Sequence, residues 1–350
     1  MKTNAKYIRN SHGGKNVSFP WWLVLGMPWL LAFNLSVTEP AIVTVPSGAT
    51  DAGIQMALDS LPPGGGSVVL LAGTFDIRHP IVLQRNHQTL HGAGSATVLR
   101  LADGANCPVI IMGEPVNNPP TTVTDLCVSG LFIDGNRTHQ TRELWRLWGQ
   151  RSEIRNNGIC VQNVSDSIVE RVTCARCRSG GLVTTRGVRR LTVQNYSSFD
   201  NEFDGLACYQ TEDSRFTDLY LYDNPGAGIS VDLGFNHNVI SNAVLSANNL
   251  GIFMRASRNN RFYTVSIRNS RQFGVFLAQR LARTARGWQP VPQTACVDNS
   301  FTDLAVTGCG GPAFRINDAT CVNNVITQPH FDGNLHGGLS VAAPLLATVR

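Results

Sequence analysis

Aromatic side chains make up only 8% of this 350-residue chain, whereas glycine occurs 33 times and asparagine recurs throughout. That balance excludes a fold built mainly of long helices and suits many short strands joined by tight corners. The glycines follow no three-residue period, which rules out a collagen-like rod. Cys174 and Cys177 form a C-x-x-C pair, but no second pair and no histidine set accompanies it, so no zinc site is written here. No βαβ pattern surrounds the pair, which also removes a thioredoxin-like redox motif. No cofactor fingerprint is evident. The arginine clusters sit in two loops without a recognised nucleic-acid motif, so nucleic acid is not an expected partner.

What is present is apolar and mildly basic. Hydrophobic residues reach 43%, enough for one long core or two ordinary ones. The net charge of +5 and the pI near 8.8 favour anionic partners, although part of that charge lies in the N-terminal tail. The tail, 1–16, carries Lys2, Lys6, Arg9 and Lys15, and an uncharged run rich in Trp, Leu, Val and Phe follows at 17–37. This order predicts export, with the tail left in the cytoplasm and the domain at 38–350 outside it, in the periplasm or beyond. Pro20, Pro28 and Asn34 speak against a permanent membrane helix, and the missing A-x-A site speaks against a cleaved signal peptide. Both a signal and a signal-anchor stay open, and the membrane is a partner only if the segment is retained. Oligomeric state leaves no trace in the sequence.

Glycines recur at intervals of about 23 residues: Gly158, Gly181, Gly205, Gly228, Gly251 and Gly274. Each opens an alternating run, such as Leu206, Ala207 and Cys208, so the side chains one and three past the glycine point inward and those two and four past it point outward. A second strand repeats the beat, with Ile168, Leu191, Phe216, Ile240, Phe262, Phe301 and Ile326 as its expected inward stack. Asn238, Asn260, Asn299 and Asn324 precede the last four of these by two residues and read as an asparagine ladder. The chain is therefore expected to be all-β, a right-handed parallel β-helix over 38–350. The next coil fits from Gly311, which places surplus residues at 280–293; a second insertion falls at about 137–156. Insertions in repeat folds concentrate on one face, often the binding face. Cys208 is an expected inward residue. Cys296 and Cys321 open the similar runs Cys296-Val-Asp-Asn299 and Cys321-Val-Asn-Asn324, so they are expected to stack one coil apart, within bridging reach.

Upstream, Thr50 and Asp51 can cap a short amphipathic helix at 52–61 lying across the open end of the coil stack. The series Ala52-Gly-Ile-Gln-Met-Ala-Leu58, Gly64-Gly-Gly-Ser-Val68, Ala72-Gly-Thr-Phe75 and Thr89-Leu-His-Gly-Ala-Gly94 resembles the opening of the pectate-lyase-like superfamily of right-handed β-helices. With the coil repeat, the resemblance covers roughly 43–335. It implies a polysaccharide ligand and leaves the reaction open.

The outward positions four past each glycine read Gln162, Thr185, Tyr209, Asp232, Arg255, Ala278 and, beyond the insertion, Arg315. Tyr209, Asp232 and Arg255 are thus expected side by side as a catalytic set. Arg315, Arg186, Gln210, Arg137, Trp145, Trp148, Arg283 and Trp288 are the expected substrate contacts. Arginine matches a carboxylate bidentately, and a guanidinium such as that of Arg255 stabilises the enolate-like charge formed when the proton beside a uronic carboxylate leaves. Such an enzyme would be a lyase or a C5 epimerase on an anionic polysaccharide. Asn201-Glu-Phe-Asp204-Gly205 resembles the N-T-D-G motif of polygalacturonase-type glycosidases, with Asp204 at the acid, and hydrolysis using Asp204, Asp200 and Asp232 is the alternative. The paired aspartate and the His-Gly of those enzymes are missing. The D-P-H motif of alginate-type epimerases and the R-x-P-x-x-R run of pectate lyases are missing as well. A third reading is a non-catalytic glycan-binding or cell-envelope scaffold protein. Calcium is compatible with acidic-sugar chemistry, but no compact carboxylate cluster calls for it.

Overall fold

Stacking the coils explains the glycine column. The computed structural model describes residues 41–144 and 154–341. A Cβ placed on Gly158, Gly181, Gly205, Gly228 or Gly251 would come within 3.0 Å of the carbonyl oxygen of the next glycine in the series. A Cβ at these five positions would collide with that oxygen, so these coils reopen on glycine, whereas Val109 and Ala313 take the equivalent position in the coils before Gly158 and after Gly274. The residues that follow, Ile159, Leu182, Leu206, Ile229, Ile252 and Val275, are direct parallel neighbours, all at most 1% exposed.

Among the described residues the strands form parallel sheets of fourteen, ten and six strands, and the topology is a right-handed β-solenoid. The central coils pass through all three, as in Leu206–Tyr209 of the ten-stranded sheet, Thr211–Glu212 of the six-stranded sheet and Arg215–Tyr222 of the fourteen-stranded sheet. The inside is a set of side-chain columns. Phe216, Ile240, Phe262, Phe301 and Ile326 stack as expected, but the column continues upward through Val193 and Val169, not through Leu191 and Ile168. The number of corner residues varies by one between coils, so a fixed offset from the glycine misses the register there. Ile168 is 40% exposed, and Leu191 instead lies between Ser167 and Ser214 in the column that becomes the asparagine ladder.

That ladder is continuous. Asn238 Nδ2 donates to Asn260 Oδ1 (3.2 Å), Asn260 Nδ2 to Asn299 Oδ1 (2.9 Å) and Asn299 Nδ2 to Asn324 Oδ1 (2.9 Å). Each Oδ1 also accepts the backbone N–H of the coil above, so buried corner amides that no strand can pair are satisfied. A second, shorter ladder escaped the sequence reading: Asn201, Asn224 and Asn248, linked at 2.9 Å each, hold the opposite corner just ahead of the ten-stranded sheet.

At the N-terminal end a helix spans Asp51–Ser60, with Thr50 Oγ1 accepting from Gly53 N–H at 3.3 Å. Its Ile54 and Leu58 are fully buried while Met56 is exposed, so one apolar stripe packs on the first coils and the other face meets solvent. Strands Gly66–Leu70, Ile81–Leu83 and Thr97–Leu101 follow. The apolar run at 17–37 lies outside the described residues; among those described, no helix is long and apolar enough to cross a membrane.

The C-terminal coil corrects the expected register. Val275 pairs with Phe314 and Leu277 with Ile316, so the position of Gly274 is taken by Ala313, two residues past Gly311. Arg315 therefore aligns with Phe276, and it leaves the column of Tyr209, Asp232 and Arg255. The surplus at 280–293 folds as an antiparallel hairpin, Leu281–Thr284 against Gly287–Pro290, exposed along both strands.

Candidate functional site

The outer face of the ten-stranded sheet has two outward columns. The first, two past each glycine, runs Cys160, Val183, Ala207, Ser230, Phe253, Phe276 and Arg315. Its small members are nearly fully buried. Its aromatic members form a wall, with Phe253 and Phe276 stacked at 5.8 Å and Phe273 tilted against Phe276 at 5.1 Å. Beyond Arg315 the column continues to its parallel partner Ser340, whose Oγ accepts from Arg315 Nη1 at 2.6 Å.

The second column holds the chemistry. Tyr209 and Asp232 are parallel neighbours, and Arg255 Nη2 meets Asp232 Oδ2 at 2.6 Å. The guanidinium lies 4.9 Å from the Phe253 ring centre, and its Nε is buried with no hydrogen-bond partner among the described residues. Asp232 is 3% exposed, with its other oxygen accepting Leu233 N–H at 2.7 Å. Both of its oxygens are thus committed. Above Tyr209 the column breaks: a bulge at Thr185 makes Gln162 the partner of Arg186, so Arg186 is the strand-end neighbour of Gln162 and is half-buried. Gln210 is exposed at the corner in a left-handed backbone conformation.

Asp204, read from the sequence as a rival site, belongs to the same group. Asn201 anchors its loop through the short ladder, Phe203 N–H bonds Ser179 O (3.1 Å), and Asp204 Oδ1 accepts Ala227 N–H at 2.6 Å. Gly226 makes that approach possible, because a Cβ there would overlap Asp204 Oδ1. Burial pushes the Asp204 carboxyl from its ordinary 3.8 up to about 6, against the opposing pull of the Ala227 N–H and of Arg155. Burial also pushes the Tyr209 phenol up to about 12, and Asp204, Arg155, Asp232 and Arg255 all act on it electrostatically. The environments are thus sorted: Asp204 exchanges protons near neutrality, Tyr209 stays protonated, Arg155 acts on both, and Arg255 stands beside them paired with Asp232. Arg155 was missed in the sequence because it sits in the exit of the first insertion, ahead of the repeat that assigns directions.

Other expected contacts are placed elsewhere. Arg137 Nη2 bonds Asp200 Oδ1 at 2.7 Å, and Arg176 binds Asp134 beside them, so Arg137 and Asp200 serve a corner ion-pair cluster. Arg283 and Trp288 are cross-strand partners on the exposed hairpin, which leaves the coil just after Ala278, the parallel neighbour of Arg255. Trp145 and Trp148 lie outside the described residues. Among the described residues no group of three His, Cys, Asp or Glu side chains converges to hold a metal ion.

Several solved structures share the architecture. An alginate lyase from Paenibacillus sp. matches at 12% identity and a TM-score of 0.58, over 86% of this chain and 99% of its own. The A-module of an Azotobacter vinelandii mannuronan C-5 epimerase matches at 14% and 0.52, over 86% and 95%. A Yersinia enterocolitica family 28 exopolygalacturonase matches at 14% and 0.52, over 89% and 78%. At these identities the likeness is one of fold. No curated protein matches by sequence. The right-handed β-helix region family matches residues 121–248 and 222–343, and the chain belongs to that family.

Proposed function

We propose that this protein acts on an acidic, uronate-containing polysaccharide as a lyase or C5 epimerase, with its β-helix exported from the cytoplasm. One arrangement carries the reading: the Asp204 carboxyl, brought up to about 6, and the Tyr209 phenol, pushed up to about 12, lie within electrostatic reach of each other and of Arg155, beside the outward column that holds Asp232 and Arg255. Above pH 6, Asp204 is ionised and can take the proton beside the uronic carboxylate. The electron pair left on carbon spreads into the carboxylate as enolate-like charge, which the arginines stabilise. In elimination the pair then forms the carbon–carbon double bond, the glycosidic bond breaks, and Tyr209 protonates the departing oxygen. In epimerisation Tyr209 returns a proton to the opposite face of the carbon. The aromatic wall of Phe253 and Phe276 offers an apolar surface for a sugar ring. The three structural neighbours named above are a lyase, an epimerase and a polygalacturonase, which makes polysaccharide the ligand class to test first.

Hydrolysis by two carboxylates is less well served, because Asp232 is buried with both oxygens engaged and Asp200 is paired with Arg137. The test is incubation with a panel of polyuronates while following unsaturated products, reducing ends and solvent deuterium in the sugar. Unsaturated ends mark a lyase, and deuterium without cleavage marks an epimerase. Saturated reducing ends would replace the proposal with a hydrolase, and binding without any reaction would replace it with a glycan-binding scaffold.

A further inference from the structure

Cys296 and Cys321 occupy equivalent positions in consecutive coils. Asp298 N–H bonds Val322 O (3.3 Å) and Ser300 pairs with Val325, and this register sets Cys296 directly against Cys321. Both are fully buried at the end of an inward column that reads Val164, Val188, Thr211, Phe235 and Ser257 in the coils before. Equivalent residues of neighbouring strands lie about 4.8 Å apart, inside the span of roughly 4.4–6.8 Å between Cα atoms that a disulfide bridges. The pair is already in contact: the Cys296 backbone N–H donates to Cys321 Sγ at 3.4 Å and the two thiols hydrogen-bond each other, while Cys296 Sγ lies 3.6 Å from Ala278 O.

We propose that Cys296 and Cys321 are a disulfide-forming pair that clamps the root of the hairpin to the coil after it. The outgoing leg of the hairpin is already tied to that coil, with Gln279 N–H donating to Asp318 Oδ2 (2.8 Å) and Thr320 Oγ1 to Gln279 Oε1 (3.0 Å). The returning leg ends at Cys296, and a bridge to Cys321 fastens it beside the same loop. The reaction is thiol–disulfide exchange with a low-molecular-weight disulfide. One thiolate attacks a sulfur of the oxidant and releases one small thiol; the second then attacks the mixed disulfide and releases the other. One S–S bond forms within the protein, one is broken in the oxidant, and the two protein thiol protons pass to the released thiols. Hydrogen bonding from Cys296 holds the Cys321 thiol below its ordinary value, which favours it as the attacking sulfur, while burial drives Cys296 up.

The experiment refolds the full chain from urea with oxidised glutathione, counts thiols and maps cross-linked peptides by mass spectrometry. The expected result is loss of two thiols, one peptide pair joining Cys296 to Cys321, and a melting temperature several degrees above that of the dithiothreitol-treated protein. Cys296→Ser should abolish the cross-link and leave Cys321 as a glutathione adduct. If that variant does not fold, the wild-type peptide map alone decides. A bridge at Cys174 and Cys177 instead, a lasting glutathione adduct on wild-type Cys321, or no thiol loss would overturn the proposal.

Discussion

Replacing Asp204 by asparagine should make the protein more stable and less active at once. Asn keeps an Oδ1 that can accept the Ala227 N–H and removes only the charge that burial disfavours. A carboxyl whose folded pKa lies above its unfolded value binds its proton more tightly in the folded chain. Its ionisation therefore weakens the fold as pH rises from about 3.8 through about 6. At about 1.36 kcal/mol per pH unit, that interval corresponds to a cost of about 3 kcal/mol, absent at pH 3.8 and below and complete above 6. Urea denaturation of wild type and Asp204→Asn across pH 4–7 checks it. The two curves should nearly coincide at pH 4 and separate by about 3 kcal/mol at pH 7, the variant being the more stable. Under the proposed mechanism its turnover on polyuronates should fall by about 10²–10⁴. A stability difference that does not change with pH, or a variant weaker than wild type at pH 7, would refute the claim that Asp204 is an unfavourably buried charge.

Other outcomes follow from the same geometry. Wild-type turnover should rise about tenfold per pH unit below 6 and level off above it, as Asp204 ionises, which a rate profile between pH 4 and 8 measures. Arg255→Ala should reduce turnover by about 10²–10³, the usual effect of removing one charge-stabilising donor; an unchanged rate removes Arg255 from the site. Asn260→Ala deletes four buried hydrogen bonds, to Asn238 N, Asn238 Nδ2, Phe235 O and Asn299 Oδ1, and should destabilise by about 3–4 kcal/mol in urea. The exposed neighbour change Asn259→Gly, at a left-handed position, should stay within about 0.5 kcal/mol. Replacing Leu281–Pro290 by a short turn should leave the fold intact, because both hairpin strands are exposed, while weakening polyuronate binding about tenfold in a titration.

Much of the architecture is local and therefore written in the chain. The opening glycines recur because each must lie against the carbonyl of the next coil, and the alternation after them assigns inward and outward faces without any long-range information. The asparagine ladder is legible for the same reason, since one corner repeated in space needs the same amide each time. Register failed where the coil length changed. A one-residue difference at the corners moved Ile168 out of the core, and the hairpin shifted the last coil by two residues, which sent Arg315 to the column of Phe253 and Phe276. Periodicity cannot see such slips, because inserted residues carry no mark of where pairing resumes.

The sequence by itself determined that this is a β-helix, that Tyr209, Asp232 and Arg255 share one outward column, and that two insertions interrupt the coils. Only the tertiary structure decided how those groups are paired and what else surrounds them. It spent Asp232 on Arg255 and Arg137 on Asp200, and it brought Asp204 and Arg155, from a corner loop and an insertion, to act on Tyr209. Pairing and burial are properties of three-dimensional neighbours, and they set the proton affinities on which the chemistry depends.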